Sequence, residues 1–140
     1  MTSGHPSETD LDWSGAHVTE IQMRFGDTDM LGHVNNVAFA QYLETARVQV
    51  LPEPRAGSVT VLAHLSVDYR REVKLGQQVQ VLILTSKVSR TSWEYAYRVL
   101  ADGQLAAEAR TAQVNVDAAT RRPAPLTGEM RAWLAQVGRS

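Results

Sequence analysis

Between Arg24 and Asn36 the chain reads RFGDTDMLGHVNN, which gathers two carboxylates, an imidazole and two carboxamides into one short polar segment. Asp27 and Asp29 stand two apart, so in extended chain they would point the same way with Thr28 opposed. Gly32 and the Asn35–Asn36 pair suit a tight turn into a helix start. The first backbone N–H groups of such a helix have no internal acceptor and form a positive, donor-rich end. A carboxylate placed there can serve two purposes. It can cap those donors, the commoner use of Asp and Asn at this position. It can instead act on a substrate whose oxygen occupies them, which is an oxyanion-hole arrangement. The segment holds more polar groups than a cap requires, and both readings stay open on spacing alone.

Other chemistries find no support. There is no cysteine, which removes a disulfide framework, a thiolate nucleophile and cysteine metal sites, and fits a reducing compartment. No G-x-S-x-G elbow, H-E-x-x-H pair or glycine-rich phosphate loop occurs, so neither a metal nor a cofactor is expected. His5 and His17 fall in or near the polar start of the chain and read as solvated, and His64 reads as a structural strand residue. A formal net charge of −1 gives no electrostatic footprint for nucleic acid or an anionic membrane surface. No apolar run approaches the roughly 20 residues of a membrane span.

The elements that must position the polar segment follow from patterning. With 140 residues, 44% hydrophobic and 21% charged, one globular domain is expected. MTSGHPSETDLDWSG lacks the basic start and apolar middle of a signal peptide. Residues 1–15 are therefore expected to be a mobile leader, residues 16–140 the domain, and the protein cytoplasmic. HVTEIQMRF, His17 to Phe25, reads as a first strand. VAFAQYLETARVQVL, Val37 to Leu51, is apolar over most of a helical circumference, with Gln41, Glu44 and Thr45 forming one narrow polar stripe. That pattern predicts a helix about 22 Å long and buried nearly all round, capped by Asn35 or Asn36 and stopped by Pro52 and Pro54.

The rest reads as strands. VTVLAHLSVDY puts Val59, Val61, Ala63, Leu65, Val67 and Tyr69 on one face and Thr60, His64, Ser66 and Asp68 on the other, with Leu62 out of pattern. VQVLILTSKVS and TSWEYAYRVL follow, then an Asp-Gly turn in ADGQ, then LAAEARTAQVNVD, and a short terminal helix in TGEMRAWLAQV. A strand, a buried helix and a meander of strands predict a two-layer α+β domain with an antiparallel sheet. The open edges of such a sheet need cover, which a second copy could supply.

FGDTDMLGHVNNVAFAQYLETAR, Phe25 to Arg47, resembles the hotdog-fold thioesterases of the 4-hydroxybenzoyl-CoA thioesterase-like superfamily. The features it shares are an acidic D-x-D near the end of the first strand, a glycine, and a helix that carries tyrosine and glutamate and ends near A-R. The GHVNN portion is also similar to the acyl-ACP thioesterases, whose equivalent loop reads H-V-N-N. The resemblance implies a hotdog fold, an antiparallel sheet wrapped around one long central helix. It also implies a homodimer joined at sheet edges, often paired into a homotetramer, with the site at the protomer interface.

By the same resemblance Asp29 is the catalytic carboxylate, as general base or nucleophile, and the backbone N–H of Asn36 polarises the thioester carbonyl. His33 matches the acyl-ACP pattern, where Leu31 stands in place of that family's Asn. Glu44 lies two turns into the helix and reads as structural or positioning, within reach of Arg47. The implied substrate is an acyl-CoA or acyl-carrier-protein thioester, with CoA as part of the substrate and not a cofactor. Its phosphates would draw on Arg70, Arg71 and Lys74, while Tyr42, with Phe39 and Leu62, would shape the acyl pocket. The competing reading on the same fold is a non-catalytic acyl-thioester binding module. A hydratase or dehydratase is the third, disfavoured by the helix-start segment.

Overall fold

The structure is a computed structural model that describes residues 11–50 and 57–137. Its strands are β1 (His17–Ile21), β2 (Ser58–Tyr69), β3 (Val79–Val88), β4 (Ser92–Ala101) and β5 (Gln104–Asp117), and its helices are α1 (Asn36–Gln49) and α2 (Gly128–Gln136). The five strands form one antiparallel sheet in the order β1-β3-β4-β5-β2, so the expected α+β architecture is present. The β4–β5 hairpin turns at Asp102 (φ 51°) and Gly103 (φ 79°), the paired positive φ values that an Asp-Gly type I′ turn requires.

One face of the sheet carries the core. Val79, Val81 and Ile83 of β3, Trp93, Tyr95, Tyr97 and Val99 of β4, and Ala107, Ala109 and Thr111 of β5 are all buried. They are brought side by side by the register, in which Ile83 faces Tyr97 and Tyr97 faces Ala109. The three β4 aromatics are neighbours at centroid distances of 6.4 and 6.3 Å. Helix α1 lies over this face. Asn35 caps it, its Oδ1 accepting the Ala38 N–H at 2.8 Å. Ala38, Phe39, Tyr42, Leu43, Ala46 and Val50 are buried, which is the i, i+4, i+8 stripe of an amphipathic helix. At the far end of α1, Trp133 of α2 donates Nε1–H to the Val50 carbonyl at 2.7 Å.

Several expectations are corrected. The first strand ends at Ile21, and Phe25–Asp27 forms a 3₁₀ turn instead. The helix is not buried all round: Val37 is 70% and Val48 61% exposed, because the sheet covers only the opposite side. The proline stop signals lie outside the described residues. His17 is not solvated beside a leader; it is half-buried in β1, opposite Ile83. Trp13, assigned to the leader, is half-buried with its ring 4.6 Å from the Arg98 guanidinium.

Strand β2 departs most from its pattern. A bulge leaves Ala63 without a partner in the register, since Leu62 faces Gln113 and His64 faces Ala112. An extra residue reverses the alternation beyond it. Leu62, which looked out of pattern, therefore shares the core-side face with Leu65, Val67 and Tyr69, while Val59 and Val61 fall on the opposite face with His64, Ser66 and Asp68. Among the described residues β2 pairs only with β5, and Val59, Val61, Leu62, Leu65 and Tyr69 are all exposed, so the expectation of a half-buried strand fails in the single chain. Among the described residues, no helix is long and apolar enough to cross a membrane.

Leu43 is fully buried at the centre of the contact between α1 and the sheet. Leu43→Ala is expected to cost about 2–5 kcal/mol of stability, read as a lower urea midpoint with an unchanged slope.

Candidate active site

The polar segment folds as a small hairpin tied down at both ends. Asp29 N–H donates to the His33 carbonyl at 2.8 Å, Gly32 N–H donates to the Asp29 carbonyl at 3.1 Å, and Thr28 bridges Val34. Gly32 has φ +78°, a conformation in which a side chain is strained. Met30 and Leu31 are left at the exposed tip. The returning leg hooks onto the chain beyond β2: Val34 N–H donates to the Val73 carbonyl at 2.7 Å and Leu75 N–H to the Gly32 carbonyl at 2.8 Å. These bonds bring residues 70–73, distant in sequence, beside Asp29.

The two aspartates do not point the same way, because the 3₁₀ turn rotates Asp27 inward. Asp27 is buried, at 3% exposure. Its Oδ2 accepts the Arg24 N–H at 2.9 Å and the Tyr42 hydroxyl at 2.8 Å, and its Oδ1 accepts the Arg24 guanidinium at 3.1 Å. Burial is the largest single influence on this carboxyl and pushes it up. The bonds from the Arg24 N–H, the Tyr42 hydroxyl and the Arg24 guanidinium together outweigh it and hold the group below its ordinary 3.8. Tyr42 is pushed up by burial and by its bond to Asp27.

Asp29 is exposed. Its Oδ1 accepts the Leu31 N–H at 2.8 Å and the His33 N–H at 3.1 Å. The bond from His33, then that from Leu31, holds the carboxyl below 3.8, so it is ionised at neutral pH. Among the described residues its Oδ2 accepts no hydrogen bond. Asn35 takes the Ala38 N–H, and the N–H of Asn36 has no acceptor among the described residues.

Asp29, His33 and Asn36 line one groove of about 500 Å³ with Phe39, Tyr69, Arg70, Arg71, Glu72 and Val73. Phe39 and Tyr69 meet edge to face at 5.1 Å and form its apolar wall. A groove of similar size on the opposite face of the sheet is lined by His64, Ser66, Asp68, Glu94 and Arg110. It is built from strand side chains and has neither an aromatic wall nor a helix start. The Asp29 groove is the better candidate, because a free carboxylate oxygen, helix-start donors and an apolar wall converge there.

Residues 23–134 match the family described as the thioesterase-like superfamily. The chain belongs to that superfamily. A 1,4-dihydroxy-2-naphthoyl-CoA hydrolase of Synechococcus elongatus is 30% identical over 125 residues, covering 80% of this chain and 90% of the relative. The long-chain acyl-CoA thioesterase FadM of Escherichia coli is 26% identical over 131 residues, covering 85% and 97%. Among solved structures, a thioesterase from Thermus thermophilus complexed with coenzyme A and Zn aligns with a TM-score of 0.79 and 31% identity, covering 93% of this chain and 99% of that one. The five-stranded antiparallel sheet with its central helix is the hotdog fold of these thioesterases.

Within this thioesterase-like chain the site residues expected from sequence separate into two groups. Asp29, His33, Asn36, Arg70 and Arg71 come together in the groove. Arg70 is anchored by Glu108, with its Nη2 at 2.9 Å from Oε1, and Arg71 donates to Gln104. Lys74 and Tyr42 are not among the lining residues. Lys74 bridges His33 through backbone, and Tyr42 is buried with its hydroxyl on Asp27. Leu62 is exposed on β2, away from the groove. Arg47 donates to the Tyr97 hydroxyl at 3.4 Å, and no ion pair joins it to Glu44 among the described residues.

Glu72, which the sequence reading missed, lies 3.4 Å from His33 Nε2 at the groove. Its position depends on the pairing of residues 32–34 with 73–75, for which the sequence carries no local signal.

The depressed Asp27 carboxyl has a consequence for stability. A group whose folded value lies below its unfolded value stabilises the fold above the unfolded value, and that contribution is lost as pH falls through the folded value. The urea midpoint of the wild type is therefore expected to fall as pH drops below about 4, and Asp27→Asn to flatten that part of the profile while lowering stability at neutral pH.

Proposed function

We propose that this protein hydrolyses acyl-CoA thioesters in the groove beside Asp29. The observation that carries the reading is the convergence of the ionised Asp29 carboxylate and the N–H of Asn36, which has no acceptor among the described residues, on one apolar-walled groove. The thioester carbonyl oxygen sits at the start of α1, where N–H donors stabilise the charge that develops on it. Asp29 Oδ2 faces the carbonyl carbon. In this reading the Asp29 carboxylate attacks the carbonyl carbon directly. Attack expels the CoA thiolate and leaves a mixed anhydride, which water cleaves to the free acid and the regenerated carboxylate. His33, with its Nε2 3.4 Å from Glu72, is the group we assign to assist the departing thiolate. Arg70 and Arg71 at the groove supply charge for the CoA phosphates. The relatives named as acyl-CoA hydrolases support this substrate class.

A second copy belongs to the reading. The outer edge of β2 has no strand partner among the described residues, and its exposed Val59, Val61 and Leu65 need cover. Antiparallel pairing of two β2 edges would lay the start of one strand beside the end of the other, next to Tyr69 and the groove. We read the protein as a homodimer built this way, with pairing into a tetramer open to it. Sedimentation at micromolar concentration is expected to give the mass of at least two chains, and the mass of one chain would remove the dimer.

Kinetics with a panel of acyl-CoAs and a free-thiol reporter test the chemistry. Asp29→Asn is expected to lower kcat by about 10²-fold or more with the fold intact. Wild-type turnover should stay level on the acid side down to at least about pH 4, because Asp29 is held ionised below its ordinary value. Arg70→Ala with Arg71→Ala is expected to raise KM and spare kcat. Near-normal turnover by Asp29→Asn would take Asp29 out of the reaction, and binding without thiol release would favour the non-catalytic module.

A further inference from the structure

Asp27 and Tyr42 are the buried polar pair that the chemistry above leaves unused. Neither lines the Asp29 groove, yet they join the segment that carries Asp29 to the helix that carries Asn36. The Asp27 carboxylate receives the Tyr42 hydroxyl from the second turn of α1. It also receives both the backbone N–H and the guanidinium of Arg24, where the chain enters the 3₁₀ turn. The backbone carbonyl of Asp27 accepts the N–H of Asn35 at 2.9 Å, and Asn35 is the residue that caps α1. Two residues on, the Asp29 side chain is held by the N–H groups of Leu31 and His33 inside the hairpin that this arrangement closes.

The Asp27 side chain thus fixes the hairpin to the body of the helix, and its backbone fixes it to the helix cap. A carboxylate is required, because three donors converge on two oxygens. An Asn in its place would turn an N–H₂ group toward at least one of those donors. Burial makes the match more consequential, since an unsatisfied polar group there costs far more than one at the surface.

We propose that Asp27 and Tyr42 act as one positioning unit that sets where the Asp29 carboxylate stands relative to the N–H of Asn36. Tyr42 is then a positioning residue and not a substrate contact. The proposal rests on the role given to Asp29 above. It predicts a loss in turnover separate from substrate binding, because misplacement of a reacting group lowers the rate without removing the groove.

The test compares Tyr42→Phe and Asp27→Asn with Trp133→Phe. The last removes the bond from Nε1 to the Val50 carbonyl at the opposite end of α1 and serves as a control for helix stability. Tyr42→Phe and Asp27→Asn are each expected to lower kcat about 10-fold with KM for an acyl-CoA unchanged within about 2-fold. The double variant should be no slower than Asp27→Asn alone, as coupled residues require. Trp133→Phe, at a comparable loss in Tm, should keep wild-type kcat.

A second measurement needs no activity. Carbon-13 NMR titration of the Asp29 carboxyl should show its midpoint rising toward 3.8 in Tyr42→Phe, as the Leu31 and His33 N–H bonds lose alignment. Wild-type kcat in Tyr42→Phe, an equal kcat loss in Trp133→Phe, or an unmoved Asp29 midpoint would each overturn the proposal. If Asp27→Asn does not fold, Tyr42→Phe carries both readouts by itself. If Asp29→Asn proves fully active, the catalytic reading fails, and the NMR midpoint still reports whether the pair positions Asp29.

Discussion

The structure depends on the burial of one side of α1 against the β3-β4-β5 face of the sheet. Phe39, Tyr42, Leu43 and Ala46 share one buried core cluster with Val81, Ile83, Tyr95 and Tyr97, all at or near zero exposure. This apolar contact is the main source of stabilisation, and it determines where the helix can start. Asn35 caps α1 at the margin of the sheet, so the donor-rich end of the helix faces a groove open to solvent.

Polar interactions then place the chemistry at that end. The hairpin of residues 28–34 is held by backbone bonds to Val73 and Leu75 and by the buried Asp27 carboxylate. The two aspartates of one D-x-D have opposite surroundings as a result. Asp27 is enclosed by three donors, whereas Asp29 is solvated with one oxygen uncommitted. Both carboxyls are held below the ordinary range, by different means. For Asp29 two backbone N–H groups suffice, while for Asp27 the surrounding bonds must overcome burial. The fold also leaves exposed what a single chain cannot cover, including the β2 edge and the outer side of α1 at Val37 and Val48.

Much of this was legible in the sequence because it is local. The alternation of Trp93, Tyr95, Tyr97 and Val99 marked the central strand and its inward face, and Asp102-Gly103 marked the turn after it. The cap at Asn35 and the helix that follows were readable from one polar residue beside an apolar run. The β2 bulge was not, since an extra residue in a strand shows only when its partner is known. Leu62, set aside as an exception, was the trace that the bulge left in the pattern. Burial of α1 was overestimated for a related reason: its composition gave the apolar positions but not how far round the sheet would reach.

The sequence by itself determined the order of the elements, the helix start and the chemical groups delivered to it. Propensity, capping and periodicity act over a few residues and need no partner. Only the tertiary structure decided which aspartate is buried and which is free, that Tyr42 turns to Asp27, and that Glu72 stands beside His33. Those outcomes depend on contacts between residues far apart in the chain, such as Asp27 with Tyr42 and Val34 with Val73. Such contacts depend on how the helix packs on the sheet and on the strand register, which set the distances between them.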